Sequence, residues 1–346
     1  MEKLFFASDY MEGAHPAILE RLLQTNLEKT SGYGTDPYCA SAADKIRAAC
    51  GCKDGEVYFL SGGTQTNAMI IKNLLRPYQG VISADTGHVA GHEAGAIEHG
   101  GHKVLCVPSK DGKITATSVE TLMQNFLQDD NRDHMVAPGM VYLSQPTESG
   151  TLYNLQELEE ISSVCARHDL YLYIDGARLA YGLSCPENDV TLQDLARLCD
   201  VFYIGGTKCG ALFGEAVVIP KPNLIPGFFT LMKQHGALMA KGRILGLQFD
   251  TLFSDGLYFR LGAKAVTFAD RIREKLQQLE FELCYGSPTN QVFVKLTDSQ
   301  RAVLEERVNV SFWEKPDDTH TVIRIATSWA TTEEDVEKLL QILDSI

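Results

Sequence analysis

Residues 171–210 read YLYIDGARLAYGLSCPENDVTLQDLARLCDVFYIGGTKCG, and this stretch decides the fold class. It begins with YLYID and ends near VFYIG, two short runs of aromatic and β-branched residues that are typical of buried strands. Between them lies the helical pattern Leu192–Leu198. A strand, a helix and a second strand in this order predict a βαβ crossover in a parallel sheet.

The same alternation extends from about residue 51 to residue 220. Further strands are predicted at VYFL (57–60), VISA (81–84), KVLCVP (103–108), MVYLS (140–144) and AVVIP (216–220), and further helices at Thr64–Leu75, His92–His99, Ser118–Leu127 and Leu155–His168. We therefore predict an α/β fold with a large, mostly parallel sheet of seven strands and helices on both faces.

After about residue 222 the pattern changes. The predicted elements are helices in Asn223–Phe253 and Leu257–Leu279, a strand at VFVKL (292–296), a helix near Ser299–Arg307, a strand at VIRIAT (322–327), and a last helix from about 332, where Thr331 and Glu334 have capping-box spacing. This order predicts a smaller α+β domain. Residues 1–50 are predicted to form an N-terminal arm that packs with the small domain and with a neighbouring chain. The large domain is placed at 51–253 and the small domain at 254–346.

Composition excludes several classes of function. The 346 residues include 31 Lys and Arg against 45 Asp and Glu, a net charge of −14 without a basic cluster, which argues against nucleic acid or an anionic membrane as a partner. No apolar run is long enough to span a bilayer, and no signal peptide is evident. Nine cysteines, an odd number partly within apolar runs, favour reduced thiols and a cytoplasmic protein.

Two charged residues follow the strands of the opening stretch. Lys208 has no charged neighbour between Asp200 and Glu215, and a lysine in such a setting is expected to be partly buried and nucleophilic. It is either a loop lysine at a strand end or a lysine that forms a Schiff base. Asp175 ends a buried strand and needs a cationic partner, either Arg178 or the protonated ring nitrogen of pyridoxal phosphate.

A third turn, SGGTQTN at 61–67, links the predicted strand 57–60 to a helix. Its backbone N–H groups and the Thr64 hydroxyl suit a phosphate, although many such turns only cap a helix. The turn is neither a Walker loop nor a GxGxxG fingerprint. Because ligands of open α/β sheets bind at the carboxyl ends of strands, we expect the chemistry at these three turns.

His88 directly follows the predicted strand 81–84 and its turn. With His92 it has the spacing of a zinc pair on a helix, but no HExxH is present and Glu93 is placed wrongly for one. We therefore expect no metal. An imidazole at this strand end would instead stack on a flat cofactor ring.

Further motifs occur in order along nearly the whole chain: Ser8-Asp9, Tyr33-Gly34-x-Asp36, Gly63-Thr64-x-x-Asn67, His88 with Glu93-Ala94-Gly95, Asp175-Gly176-Ala177-Arg178, Thr207-Lys208, and Arg324 with Thr327-Ser328-Trp329. This combination resembles the threonine aldolases that depend on pyridoxal 5'-phosphate, in the β-eliminating lyase group of the aspartate aminotransferase fold, known as fold type I. The resemblance implies cleavage of L-threonine or L-allo-threonine to glycine and acetaldehyde.

The resemblance also implies roles for matching residues on the cofactor. Lys208 would form the Schiff base, Asp175 would pair with the ring nitrogen, and His88 would stack on the ring. The cofactor phosphate would be held by Gly63, Thr64 and Thr207.

Other implied roles concern the substrate and the assembly. The substrate carboxylate would bind Ser8, Arg178 and Arg324. His134 would be a second histidine near the substrate hydroxyl, so that His88, His134 or an ordered water would remove its proton. A homodimer or homotetramer is implied, in which Tyr33 and Arg243 are candidates to reach a neighbour's site.

The sequence departs from the commoner family pattern at Gln145-Pro146-Thr147-Glu148, where many members have Glu-Asn-Thr-His, and at LGLQF (245–249), which replaces a longer, more basic segment. These changes leave the preferred substrate open. One alternative is β-elimination on another amino acid with the same cofactor. A second is a nicotinamide-binding protein of Rossmann type, against which the missing GxGxxG fingerprint counts.

Overall fold

The computed structural model describes residues 3–346. The strands are β1 Leu4–Phe5, β2 Glu56–Leu60, β3 Gln79–Ala84, β4 Val104–Val107, β5 Ala137–Ser144, β6 Tyr171–Asp175, β7 Val201–Gly205, β8 Glu215–Ile219, β9 Glu282–Leu283, β10 Gln291–Thr297, β11 Val308–Asn309, β12 Ser311–Glu314 and β13 His320–Ala326.

The helices are α1 Pro16–Gln24, α2 Pro37–Cys50, α3 Gly63–Leu74, α4 His88–Gly91, α5 Ala96–His99, α6 Ala116–Gln128, α7 Leu155–Arg167, α8 Leu179–Leu183, α9 Leu192–Leu198, α10 Phe228–Gln234, α11 Arg243–Leu252, α12 Leu257–Gln278, α13 Asp298–Glu305 and α14 Glu333–Leu343, with a 3-10 turn at Arg132–His134.

The predicted seven-stranded, mostly parallel sheet is confirmed. Its strand order is β2-β8-β7-β6-β5-β3-β4. Strand β8 pairs antiparallel with β2 and with β7, and the other pairs are parallel, so β8 alone runs opposite to the other six. Strands β7 and β8 are buried throughout, as expected where helices cover both faces of a sheet. Because β5, β6 and β7 are parallel, their carboxyl ends lie at the same edge of the sheet.

The second sheet is antiparallel, with the order β12-β13-β10-β9. Helices α12 and α14 contribute Ile272, Leu276 and Leu339 to its core, where Phe6 from the N-terminal segment is also buried. Ile46 of α2 instead belongs to the core beneath the large sheet. The domain boundaries stay a prediction. Within the described chain, no helix is both long and apolar enough to cross a bilayer.

Two local predictions were wrong. Of the helix expected over His92–His99, only α5 is formed, because Ala94 (φ 51°) and Gly95 (φ 73°) adopt left-handed backbone that an α-helix does not contain. The capping box of the last helix lies one residue later than expected: the Thr332 hydroxyl accepts the N–H of Asp335, whose carboxylate bonds back.

Candidate active site

A cavity of about 300 Å³ lies at the carboxyl edge of the large sheet. It brings together all three turns singled out in the sequence, because β2, β6 and β7 each end there. Its lining residues are Tyr10, Ser61, Gly62, Gly63, Thr64, His88, Ser144, Pro146, Glu148, Asp175, Ala177, Arg178, Tyr203, Thr207, Lys208, Phe213 and Glu215.

Lys208 follows β7 and is half-buried in this cavity, as its uncharged surroundings predicted. Burial, and then the nearby charge of Arg178, lowers the pKa of the Lys208 amine to about 8. Its Nζ lies 5.9 Å from the ring centre of Tyr10. The Tyr181 hydroxyl bonds the Lys208 carbonyl and holds the backbone in place. Lys208 is therefore an amine that is uncharged, and hence nucleophilic, closer to neutral pH than an ordinary lysine.

Asp175 ends β6 and is buried, with four hydrogen-bond donors around its carboxylate. The hydroxyls of Tyr142 and Tyr203 bond Oδ2 and Oδ1, respectively. Asn67 Nδ2 lies 3.0 Å from Oδ2, and the Ala177 N–H lies 2.9 Å from Oδ1. None of these partners is cationic, so the alternative in which Arg178 neutralises Asp175 is wrong.

Asn67 extends this network towards His88. Its Nδ2 also lies 2.6 Å from Glu93 Oε1, and Glu93 Oε1 lies 2.8 Å from His88 Nδ1. The hydrogen bond with Glu93 raises the pKa of His88, and the charge of Asp175 acts in the same direction against desolvation. Nδ1 is thus committed to Glu93, which fixes the plane of the imidazole at the cavity wall.

The helix α3 begins at the cavity without a side-chain cap. Its N-cap is Gly62, and the first two helical residues, Gly63 and Thr64, line the cavity. Free N–H groups at the start of a twelve-residue helix form a site for an anion. A Cβ atom on Gly63 would lie 3.1 Å from the Tyr203 hydroxyl, so the turn packs tightly against Asp175's partner.

Thr207 stands at the same wall, but its hydroxyl is engaged within its own loop. It donates to Glu215 Oε1 at 2.8 Å and accepts the Gly214 N–H at 3.0 Å. Burial raises the pKa of Glu215 against the opposing effects of Thr207 and Lys208. The Thr207 N–H also donates, to the Gly214 carbonyl at 3.2 Å. A phosphate role for Thr207 stays a prediction and requires its hydroxyl to rearrange.

Arg178 binds Asp9, a residue from the N-terminal segment. The guanidinium donates to both carboxylate oxygens, with Nε 2.7 Å from Oδ2 and Nη2 3.0 Å from Oδ1. Asn290 Nδ2 adds a bond of 2.9 Å to Asp9 Oδ2. The Arg178 and Lys208 charges overcome desolvation and hold the pKa of Asp9 well below its ordinary value. Arg178 is thus positioned at the cavity wall by a buried bidentate pair.

Arg324 lies on β13 beside this ion pair. Its guanidinium donates to the Ala7 carbonyl and to Gln291 Oε1, each at 3.0 Å, while its buried Nε has no partner within residues 3–346. Burial, and then the charge of Arg178, lowers its pKa. Ser8 lies between Ala7 and Asp9, half-buried. The guanidinium groups of Arg178 and Arg324 outnumber the single carboxylate of Asp9, so this corner has a net positive charge and favours binding of an anion.

Comparisons with known proteins decide the family. Residues 6–299 match the family described as Beta-eliminating lyase. The chain belongs to the β-eliminating lyase family. A low specificity L-threonine aldolase from Pseudomonas sp. is 32% identical over 308 residues, 87% of each chain. A threonine aldolase from Leishmania major has a solved structure with a TM-score of 0.96, 43% identity and 99% of each chain covered.

The fold is that of the aspartate aminotransferases. The Thermus thermophilus enzyme superposes with a TM-score of 0.73 at 16% identity, covering 99% of this chain and 91% of the other. At that identity the likeness concerns the fold alone. β-Eliminating lyases use pyridoxal 5'-phosphate as their cofactor, so the predicted fold type and cofactor are confirmed.

The cavity of this β-eliminating lyase fits the cofactor. It offers an amine of lowered pKa on Lys208, a buried carboxylate on Asp175 and the uncapped N-terminus of α3 for the phosphate. When bound, pyridoxal phosphate supplies an aldehyde that lysine or an amino acid can take up and a ring that accepts electrons from Cα.

Five residues that the resemblance assigned to the site are not among those that line the cavity of their own chain: Ser8, Tyr33, His134, Arg243 and Arg324. Ser8 and Arg324 lie beside the cavity, next to the ion pair of Asp9 and Arg178. His134 is exposed and lies three residues before β5, whereas the cavity lies beyond the other end of that eight-residue strand, roughly 25 Å away. The structure therefore corrects the placement of His134. Tyr33 lies under Lys233, whose Nζ is 4.4 Å from the ring centre, and Arg243 Nη2 bonds the carbonyl and hydroxyl oxygens of Thr25.

The sequence analysis missed several residues of this site. Tyr142 and Tyr203 lie in apolar strands and are buried. Because a buried tyrosine hydroxyl needs a polar partner, their positions in the sequence could have indicated a nearby polar group such as Asp175. The sequence singled out Glu148 only as a departure from the family pattern. Its Oε1 accepts the His88 N–H at 2.9 Å and the Ser144 hydroxyl at 2.6 Å.

Proposed function

We propose that this β-eliminating lyase is a threonine aldolase, which cleaves L-threonine or L-allo-threonine to glycine and acetaldehyde. The observation that carries the proposal is that Lys208, Asp175 and Arg178 line one cavity, so that an amine, a buried carboxylate and a guanidinium meet there. Arg324 lies next to Arg178 and adds positive charge at that corner. The names of the Pseudomonas and Leishmania relatives support the choice of substrate.

Each group has a defined task in this reaction. The corner formed by Arg178 and Arg324 binds the substrate carboxylate, which orients the Cα–Cβ bond in the cavity. Lys208 would hold the cofactor through its amine. Asp175, fixed by its four donors, would stabilise positive charge on the ring nitrogen, and His88 would stack on the ring. The start of α3 would hold the phosphate.

The absorbance spectrum of the purified protein tests this function when combined with product identification. The bound cofactor should give an absorbance band that the apoprotein lacks, and L-threonine should change it while glycine and acetaldehyde accumulate. Formation of pyruvate without an aldehyde would instead indicate β-elimination. A protein that binds no pyridoxal phosphate would contradict the proposal altogether.

Arg324→Ala should weaken binding of the substrate. Loss of a hydrogen bond to a charged group costs about 1.5–3 kcal/mol, so we expect KM for L-threonine to rise roughly 10–150-fold. Arg324→Lys should recover only part of the loss, because the planar fork is absent. The exposed Arg76 is the matched control, and Arg76→Ala should leave KM unchanged. An unchanged KM in Arg324→Ala would remove this residue from the site.

We also propose that the protein is a cytoplasmic homodimer or homotetramer with shared active sites. All nine cysteines are unpaired, which supports a reducing compartment. Two large apolar side chains, Tyr33 and Phe229, are each 42% exposed. Both line a second cavity of about 310 Å³, together with Asp36, whose buried Oδ2 has no partner in the described chain. Such a surface is suited to an interface.

Mixing two inactive variants tests whether sites are shared. Lys208→Ala chains and Tyr33→Ala chains should each be inactive alone, and hybrids should recover part of the activity because one of their sites has both residues intact. The control is each variant carried separately through the same dissociation and reassembly. Light scattering at micromolar concentration checks the assembly. An active monomer, or no recovery in proven hybrids, would contradict the proposal.

A further inference from the structure

Glu148 lines the cavity, but none of the roles proposed above involves its carboxylate. It follows β5 by four residues and is half-buried in the wall that also carries Lys208 and Asp175. Its Oε1 accepts two hydrogen bonds, from the His88 backbone N–H and the Ser144 hydroxyl. These two donors come from different elements, so they fix the direction of the carboxylate.

The second oxygen of Glu148 is free. Oε2 has no hydrogen bond with any residue between 3 and 346, and it is not among the buried polar atoms that lack a partner. An accessible, unbonded oxygen on a cavity wall points into the space that a substrate would occupy. The fixed Oε1 and the free Oε2 together resemble the arrangement of a positioned general base.

The other carboxylates of the cavity are already committed. Both oxygens of Asp175 accept two bonds each, and Glu215 accepts the Thr207 hydroxyl on Oε1 and the Gly206 N–H on Oε2. His88 has its Nδ1 bound to Glu93. Among the described residues lining the cavity, Glu148 is thus the one carboxylate with an oxygen left for a ligand.

We propose that Glu148 is the catalytic base that removes the proton from the β-hydroxyl of the substrate. The inference rests on the proposed threonine aldolase activity. Oε2 takes the hydroxyl proton, the O–H electron pair forms the carbonyl of the departing aldehyde, and the Cα–Cβ bond breaks with its electron pair left at Cα. Cα then takes up one proton, so that glycine and aldehyde together contain every atom of the substrate.

The electrostatic surroundings of Glu148 suit this role. Burial raises the pKa of Glu148, and the Asp175 charge adds to the increase, while the Ser144 hydroxyl and the His88 charge oppose it. Lys208, Arg178 and Glu215 are the other ionisable acidic and basic groups of the same cavity. A carboxylate of raised pKa accepts a proton more readily than an ordinary one. Because the base must be ionised, kcat/KM should fall as the pH falls through this raised pKa.

Glu148→Gln in the holoenzyme separates this role from a structural one. Glutamine keeps an oxygen for Ser144 and the His88 N–H but cannot take a proton. We expect kcat for L-threonine to fall about 10²–10⁴-fold, the usual contribution of a general base, and the acidic limb of the pH profile to disappear. Glycine has no β-hydroxyl, so the glycine-induced absorbance change and the exchange of its α-hydrogen in D2O should stay close to wild type.

Two further variants make the result decisive. Glu148→Asp retains a carboxylate and should keep more activity than Glu148→Gln. Glu187 is exposed, and Glu187→Gln should match wild type in every measurement. Wild-type turnover in Glu148→Gln, or a parallel loss of glycine exchange, would overturn the role of Glu148 alone. Failure of the wild-type protein to cleave L-threonine would instead overturn the proposed function.

Discussion

Lys208→Ala is expected to reduce cleavage of L-threonine below detection. Alanine removes the only amine in the described lining of the cavity, and with it the covalent attachment of the cofactor. Borohydride reduction followed by peptide mass spectrometry should find the cofactor on Lys208 in the wild-type protein and on no lysine in the variant. The surrounding fold should persist, because Lys208 is held through its backbone carbonyl by Tyr181.

A second measurement tests the lowered pKa of the same amine. Only the uncharged amine attacks an aldehyde, so uptake of pyridoxal phosphate by the wild-type apoprotein should quicken as the pH rises through about 8. Lys103 is exposed and does not line the cavity, so Lys103→Ala serves as the control. Full activity with a reducible adduct in Lys208→Ala would refute the assignment.

Asp175→Asn should reduce turnover by orders of magnitude while the protein still binds its cofactor. Asparagine has nearly the shape of aspartate, but a neutral amide cannot stabilise a protonated ring nitrogen, and the ring then accepts electrons from Cα less well. The measurement is kcat together with cofactor content from the absorbance spectrum. Asp130 is exposed, so Asp130→Asn controls for the chemical change itself.

Tyr203→Phe refines the same prediction. It removes one of the four donors to Asp175 and leaves the charge, so its effect on kcat should be far smaller than that of Asp175→Asn. Near-normal turnover in Asp175→Asn would mean that the carboxylate only organises its neighbours Tyr142, Tyr203 and Asn67. Comparable losses in both variants would point to the same conclusion.

The edge of the sheet at which chemistry occurs was predictable from local sequence. Strand periodicity located the ends of β2, β6 and β7, and parallel strands place their carboxyl ends together. The glycines after β2 and the uncharged surroundings of Lys208 were visible in the same way. Each of these signals lies within about ten residues of the feature that it predicts.

Partners that come from distant parts of the chain were not predictable by such signals. Arg178 has Asp175 three residues away in sequence, yet it binds Asp9, which is 169 residues distant. His134 was expected near the substrate only from the family resemblance, and its position before β5 places it at the opposite end of that strand from the cavity. Glu148 was visible only as an unusual residue, because its free oxygen is a property of the folded cavity.

The Asp9 carboxylate has a consequence for how the molecule becomes active. It joins Arg178 at a sequence separation of 169 and Asn290 at a separation of 281, so this corner closes two very long loops at once. Such contacts carry a high entropic cost of closure and contribute to a high contact order, which slows folding. We therefore expect the βαβ core to form before the amino-terminal segment docks, so that the chain becomes competent for catalysis only in a late step of folding.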